Sequence, residues 1–318
     1  AYNIGLDLAF FNSRLRATVE GYVSKTNDLL VSRSLPKITG YENVKDNLGR
    51  LRNYGMEISL EGDPIVQKNF KWTSSANFSF NRRKILSLYG NMVNDYDEAG
   101  NVIGQHEADD TTNGWYIGHD PNELYDYEMD GVWQLGEEAE AAKYGLQPGD
   151  FKYVDQNGDG QLNTADKIFY DKYTTPRFYV NWRNQFTLFK DFTLSFLLYA
   201  RLGQWNTFNK AANITSLLDR HSGLDLERWT KDNPTNKYAR VQSTNKGNHY
   251  VNKSFMRMDN ISLSYNVPNK LTNKFCVNDM RVTLNVRNPF VVSSFESGDP
   301  EGGDYTSRSY ALGINFSL

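Results

Sequence analysis

The chain has 318 residues, enough to bury one large core or two modest ones. Charged residues make up 23% of it and the formal net charge is −3, which gives no indication of nucleic-acid binding or of electrostatic attachment to a membrane surface. The absence of any run of 18 apolar residues excludes membrane-spanning helices, but not a transmembrane β-barrel, whose strands turn only alternate residues to lipid. The single cysteine, Cys276, excludes an internal disulfide framework.

Large apolar residues alternate with small or polar residues in nine stretches, and this period of two is typical of β-strands. The predicted strands cover residues 2–11, 15–24, 54–61, 70–81, 177–188, 192–198, 261–267, 280–287 and 310–318. Most are long enough to cross a bilayer when tilted. In the last of them we expect one face to contact lipid, namely Tyr310, Leu312, Ile314, Phe316 and Leu318.

Two features favour a membrane barrel over a β-sandwich with an apolar core. The polar faces of the strands carry full charges, such as Arg183 and Arg281, whereas the middle of each apolar face carries none. The connections also alternate in length. Short ones lie near 12–13, 63–68, 189–191 and 268–278, and long ones at 27–49, 84–176, 202–253 and 292–304. This sorting predicts a barrel with short periplasmic turns and long extracellular loops.

The number of strands adds a further expectation. Bacterial single-chain barrels have even strand numbers, and nine strands would leave two open edges in lipid. We therefore expect residues 1–318 to be the C-terminal portion of a larger barrel, with the missing strands preceding Ala1.

The longest loop contains the spacing of a twelve-residue calcium loop of EF-hand type. Oxygen ligands at positions 1, 3, 5, 7 and 12 of residues 155–166 predict a metal site formed by Asp155, Asn157, Asp159, the carbonyl of Gln161, and Asp166. Gly160 permits the sharp turn. Position 12 is Asp rather than Glu, which makes bidentate coordination of Ca²⁺ less secure and Mg²⁺ more plausible. The alternative is a surface turn rich in Asp, Asn and Gly that binds no metal.

Aromatic residues in the long loops are the only candidates for substrate contacts. Trp115, Tyr116, Trp133 and Trp205 could stack on sugar rings, although packing within the loops is the commoner use of such side chains. Residues 137–143 predict a short solvated helix, and residues 208–229 show a broken helical period. The four histidines have no ligand spacing, and no nucleotide-binding or nucleophile motif occurs, so we expect no catalytic residues and no enzyme activity.

Over essentially its whole length the chain resembles the SusC/RagA family of TonB-dependent outer-membrane transporters of Bacteroidetes. The resemblance rests on stretches in a fixed order: residues 53–57, 127–134, 148–150, 175–178, 227–230 with 233–234, 255–268, 285–288 and 299–301. The chain departs from the family pattern at Leu318, where a terminal Phe is usual, and at Arg287-Asn288-Pro289-Phe290.

The resemblance implies a 22-stranded barrel in the bacterial outer membrane, of which this chain supplies the last nine strands. It also implies import of oligosaccharides or peptides, pairing with a SusD-like surface lipoprotein, and energy from TonB. The N-terminal plug and the TonB-contacting segment are expected to lie outside these 318 residues. On the residues alone, two other functions stay open: a secreted, calcium-stabilised β-sandwich that binds glycans, and a barrel enzyme of the outer membrane.

Overall fold

The computed structural model describes residues 1–34, 37–97, 99–208, 226–245, 249–275, 277–295, 298–302 and 306–317. Its strands are β1 (Tyr2–Phe10), β2 (Leu15–Ser34), β3 (Asn43–Gln67), β4 (Phe70–Ser87), β5 (Met92–Tyr96), β6 (Val102–Glu107), β7 (Glu123–Tyr127), β8 (Met129–Val132), β9 (Phe151–Tyr153), β10 (Lys167–Tyr173), β11 (Phe178–Leu188), β12 (Phe192–Leu202), β13 (Trp205–Thr207), β14 (Tyr250–Asn252), β15 (Phe255–Asn266), β16 (Asp279–Ser293) and β17 (Ser309–Ser317). Two short α-helices are α1 (Glu138–Lys143) and α2 (Asn269–Thr272), and 3₁₀ turns cover Lys37–Thr39, Thr164–Asp166 and Asn273–Phe275. Within these ranges no helix has the length and apolar character needed to span a membrane.

Nine strands form one antiparallel sheet in the order β1-β2-β3-β4-β11-β12-β15-β16-β17. All nine predicted strands are present, and the strand number is confirmed. The sheet is open, with β1 and β17 at its edges, as the odd number predicts. The four other sheets of the described residues have two strands each. The β-sandwich alternative is therefore wrong, since it needs a second large sheet over the apolar face.

The strand register aligns the apolar residues into bands that cross the sheet. One such band contains Leu6, Val19, Ile58, Phe78, Val180, Ala200, Met256 and Val292. Leu6, Met256 and Val292 are exposed, at 56%, 41% and 58%, and the other members of the band are partly exposed. An extended, exposed apolar band on one face of a sheet is the outer surface of a membrane barrel, where lipid covers it.

The predicted face of the last strand is confirmed for the described residues. Tyr310 lies opposite Val286 and Leu312 lies opposite Leu284, so both belong to the apolar face of β16. Ile314 and Phe316 continue this face. Leu318 lies outside the described residues, as do Cys276 and most of the broken helical period at 208–229.

The predicted long loop at 27–49 is mostly strand, and this expectation was wrong. β2 continues to Ser34 and β3 starts at Asn43, so that the connection covers only 35–42. Irregularities in the pairing lie between Thr26 and Leu30, next to Asp28, whose φ is 55°. Each extra residue in a bulge exchanges the odd and even positions between the two faces of the strand. The apolar residues then no longer alternate strictly, so the pattern does not predict the strand.

A second bulge explains why the predicted strand at 261–267 begins too late. β15 starts at Phe255, and its register shifts between Met258 and Asn260 on both neighbouring strands. The extra residue, Asp259, moves the apolar face from even positions, such as Met256, to odd positions, such as Ile261. Met258 therefore lies on the same face as Ile261.

A polar pair interrupts the apolar face near the short turns. Asn184 is 1% exposed and its carboxamide oxygen accepts a hydrogen bond from the indole nitrogen of Trp72 at 2.9 Å. The hydroxyl of Ser74 lies opposite Asn184 and accepts from the indole nitrogen of Trp182 at 3.0 Å. The two tryptophans thus satisfy polar groups that lipid cannot satisfy.

We expect Trp72→Phe to destabilise the barrel by about 1–3 kcal/mol, because the buried oxygen of Asn184 loses its donor. The midpoint of heat-induced unfolding on a denaturing gel would fall. Trp72→Phe/Asn184→Leu should recover most of the loss, because it replaces both partners by apolar groups. An unchanged midpoint for Trp72→Phe alone would contradict this account.

Candidate functional site

The connections 88–176, between β4 and β11, and 203–253, between β12 and β15, lie at the same end of the strands and pack on each other. We call their described residues the loop cap. A small core unites them. Val132 and Phe151 come from the first connection, and Trp229 and Ala239 come from the second. The indole nitrogen of Trp229 also donates to the side-chain oxygen of Gln134 at 3.1 Å. The loop cap is therefore a packed unit rather than two independent loops.

Asp150 is the polar centre of this unit and is fully buried. Its carboxylate accepts from Arg240 Nε at 2.9 Å, from the Thr244 backbone nitrogen at 2.9 Å and from the Ser243 hydroxyl at 3.1 Å. Burial alone would raise the pKa of Asp150, but these hydrogen bonds, led by that from Thr244, hold it below its ordinary value. The carboxylate is therefore charged and links the two connections.

Gly149 has φ of +90°, and a Cβ there would collide with the Trp229 ring and the Arg240 side chain. A glycine is therefore required beside Asp150.

A second ion pair joins the loop cap to the sheet. Arg177 Nη1, just before β11, lies 3.1 Å from a carboxylate oxygen of the buried Asp120. Its guanidinium lies over the Tyr173 ring at 3.5 Å. The backbone of Ile85 in β4 exchanges hydrogen bonds with His119 and Gly118. These contacts hold the base of the loop cap to β4 and β11.

A third cluster holds the connection between β16 and β17 against β12 and β15. Arg257 on β15 and Asp299 are both about 5% exposed, and two oxygens of Asp299 accept from Arg257 Nη2 at 2.6 and 2.7 Å. The pKa of Asp299, which burial alone would raise, is held well below its usual range by the hydrogen bonds from Arg257. Glu301 adds contacts to Tyr199 at 2.6 Å and to Arg201 at 2.9 Å. We call these five residues the loop latch.

The four aromatic candidates for substrate contact do not form one cluster of stacked rings in the described part of the loop cap. The Tyr116 ring packs on Tyr125 and Phe169, with ring centres 4.4 and 5.2 Å away. Within the described residues none of the four stacks on another. The half-buried Trp115 pairs through its backbone with Asp110.

Two of these aromatic side chains have a lysine over the ring. Trp133 is 5% exposed, stacks on Tyr144 and carries Lys152 Nζ at 4.8 Å. Trp205, in β13, is half-buried and has Lys172 Nζ 4.5 Å from its ring. Trp133 therefore packs within the loop cap, whereas Trp205 lies beside the ammonium group of Lys172.

The predicted metal loop is closed by its own hydrogen bonds. Asp155 accepts from the backbone of Gly158 at 2.7 Å and of Gly160 at 2.8 Å, and both glycines have positive φ. Asp159 accepts from the Gln161 backbone at 2.7 Å, and its other oxygen from Asn157 at 3.1 Å.

Asp166 is fully buried and accepts from the backbones of Gln156 and Asn163 at 3.0 and 2.8 Å. The described residues contain no group of three or more His, Cys, Asp or Glu side chains placed to share an ion. The backbone thus has the turn that the sequence predicts, but its carboxylates point to amides rather than to one common centre.

The sequence and the fold were compared with those of known proteins. No family model matches the chain. It is 30% identical over 308 residues to the TonB-dependent receptor SusC of Bacteroides thetaiotaomicron, covering 94% of this chain and 29% of that protein. It is 29% identical over 329 residues to the TonB-dependent receptor P3 of Formosa agariphila, covering 99% of this chain and 32% of that protein.

The fold is also similar to a solved structure of the RagAB peptide transporter, with a TM-score of 0.75 and 28% identity. That match covers 99% of this chain and 35% of the solved chain. This chain belongs to the SusC/RagA-like family. It spans about a third of the length of the relatives it matches, corresponds to a C-terminal part of them, and is an outer-membrane β-barrel protein.

In this SusC/RagA-like chain, the stretches that carried the resemblance meet in space. Residues 127–134, 148–150 and 227–230 form the core and polar centre of the loop cap. Residues 255–268 and 299–301 supply Arg257, Asp299 and Glu301 of the loop latch. These contacts could not be read from the sequence, because partners so distant along the chain leave no local pattern.

Proposed function

We propose that this chain forms part of the wall and the loop cap of a TonB-dependent importer of oligosaccharides or peptides. The observation that carries the proposal is the continuous nine-stranded sheet with an exposed apolar band, together with its similarity to SusC and to the RagAB peptide transporter. The polar face of the sheet would line the lumen. The long connections would face the cell exterior and the short turns the periplasm.

A SusD-like surface lipoprotein is the partner that we propose for the loop cap. The resemblance to the SusC/RagA family supports this partner, and the packed core around Phe151 and Trp229 would hold the surface of the loop cap in place for docking. TonB would act through a region outside these 318 residues.

Uptake in cells that lack the gene tests the importer. Cells with and without the complete protein would receive labelled oligosaccharides and labelled oligopeptides, each with and without an uncoupler of the proton gradient. We expect the deletion strain to lose energy-dependent uptake of one of the two classes. Equal uptake of both classes by the two strains would overturn the proposal.

We also propose that residues 155–166 bind Ca²⁺, with Mg²⁺ as the weaker competitor. The spacing of Asp155, Asn157 and Asp159 and the glycine at 160 support this, since they match a calcium loop. Each carboxylate keeps lone pairs beyond its present hydrogen bonds, so that binding requires these side chains, with Asp166 and the Gln161 carbonyl, to turn toward one common centre.

Calcium titration of the complete protein checks this prediction. We expect millimolar Ca²⁺ to protect residues 155–166 from proteolysis, and Asp155→Asn/Asp159→Asn to abolish this protection. Asp130→Asn, an exposed carboxylate of the same loop cap, is the matched control. The site would be excluded if protection from proteolysis did not depend on Ca²⁺. It would also be excluded if Ca²⁺ protected Asp155→Asn/Asp159→Asn as well as it protects Asp130→Asn.

A further inference from the structure

A cleft of about 520 Å³ opens in the loop cap between its two connections. Its lining residues come from β8, from β10, from the segment between Trp229 and Arg240, and from His249 with the adjacent first residue of β14. Gly131 has φ of +88°, and a Cβ there would collide with the Asn236 carboxamide. That carboxamide accepts from the Val132 backbone at 2.8 Å, which fixes the two walls to each other.

The lining is positively charged although the chain as a whole carries −3. It includes two lysines and a histidine but no Asp or Glu. Lys172 forms no ion pair with the described residues, and its Nζ instead lies 4.8 Å from the Tyr170 ring and 4.5 Å from the Trp205 ring. Aromatic faces position an ammonium without neutralising its charge, so that the charge stays available to a ligand.

The tyrosines present rings rather than hydroxyl groups to the cleft. Tyr170 donates its hydroxyl to the Tyr127 carbonyl, and Tyr250 donates its hydroxyl to Asp126 at 2.7 Å. Their ring centres are 5.7 Å apart, with planes tilted by 55°. Rings held in this way offer flat apolar faces on which the C–H groups of a pyranose can pack.

His249 contributes no charge at neutral pH. Burial, with a smaller contribution from the nearby Lys237, lowers the pKa of His249 below its ordinary value. The positive charge of the lining therefore comes from Lys172 and Lys237.

We propose that this cleft binds an anionic oligosaccharide, with a carboxylate or sulfate on Lys172 and a sugar ring against Tyr170 and Tyr250. The inference deepens the proposed import function and rests on it, since it names the substrate class. An acidic peptide would also satisfy the lysines, but the paired ring faces favour a sugar. The volume suits two or three sugar residues.

Titration calorimetry of the complete protein in detergent tests the proposal. The probes are trigalacturonate, a sulfated trisaccharide, neutral maltotriose and triglutamate. We expect the wild type to bind one or both anionic sugars, and the uronate and sulfate arms then identify the anion. Lys172→Gln should weaken this binding about tenfold to a hundredfold, and added salt should weaken binding by the wild type. Lys231→Gln, an exposed lysine of the same loop cap, should bind as the wild type does.

Three results would overturn the inference: equal affinity of wild type and Lys172→Gln, equal binding of maltotriose, or binding of triglutamate in place of the anionic sugars. Each is distinct from failure of the importer. A strain that imports neutral sugars or peptides would keep the import function and refute only the anionic substrate, whereas unchanged uptake after gene deletion would refute import even if the purified protein bound trigalacturonate.

Discussion

Arg257→Met is expected to release the connection between β16 and β17 from the barrel wall. The substitution leaves the carboxylate of Asp299 buried without its bidentate partner, and breaking a buried pair in this way costs about 3–5 kcal/mol. Hydrogen exchange of residues 298–302 should then accelerate by a factor of about a hundred or more. The sheet itself should stay intact, because the strand pairing of β15 uses only backbone groups.

The matched control for this prediction is Arg201→Met. It removes only the contact with Glu301, in which the two side chains are 41% and 31% exposed, so that we expect a loss of about 0–1 kcal/mol. Equal acceleration of exchange in the two variants would contradict a special role of the Arg257–Asp299 pair.

The loop latch also has a defined pH dependence. The pKa of Asp299 is lower in the folded protein than in an unfolded chain, where an aspartate has a pKa of about 3.9. Its contribution to stability is therefore complete above that pH and is lost as the pH falls toward the folded-state pKa. Pepsin, which is active in acid, should cleave residues 298–302 faster below about pH 4, and Asp299→Asn should remove this dependence.

The surroundings of each segment decide how well its structure could be predicted from the sequence. Strands between lipid and lumen must alternate, so β1, β17 and the first part of β16, up to Arg287, can be read directly from the sequence. Where a strand leaves the membrane or contains a bulge, the alternation fails, as it does around Asp28 and Asp259.

The candidate site was less predictable for the same reason. The short strands of the loop cap span three to seven residues, which is too few to show a period. Asp150 and Thr244 are 94 residues apart, and Arg257 and Asp299 are 42 apart, so their pairing depends on the completed fold. The aromatic residues of the long loops could be named from the sequence, but the sequence could not distinguish the packed Trp133 from Trp205, which lies beside the cationic cleft.

Asp150→Ala is expected to separate the two connections of the loop cap while the barrel stays assembled. The change leaves the Arg240 guanidinium without its buried partner and the Thr244 backbone nitrogen without an acceptor, at a cost of about 3–5 kcal/mol. The four-residue core that this carboxylate ties together is too small to compensate for such a loss. Proteolysis between residues 226 and 245 and exposure of the Trp229 indole, followed by its fluorescence, should both increase.

Asp130→Ala is the control for this prediction. It tests whether the loop cap loses stability when any one of its carboxylates is removed. Asp130 is 59% exposed and pairs with Lys152 at 3.4 Å, so that its removal should change stability by no more than about 1 kcal/mol. Both variants should keep the heat-modifiable band of an assembled barrel, because the nine-stranded sheet is paired independently of Asp150. If Asp150→Ala left proteolysis and fluorescence unchanged, the packing of Phe151 and Trp229 alone would hold the loop cap together, and its two connections would form a platform without the buried ion pair.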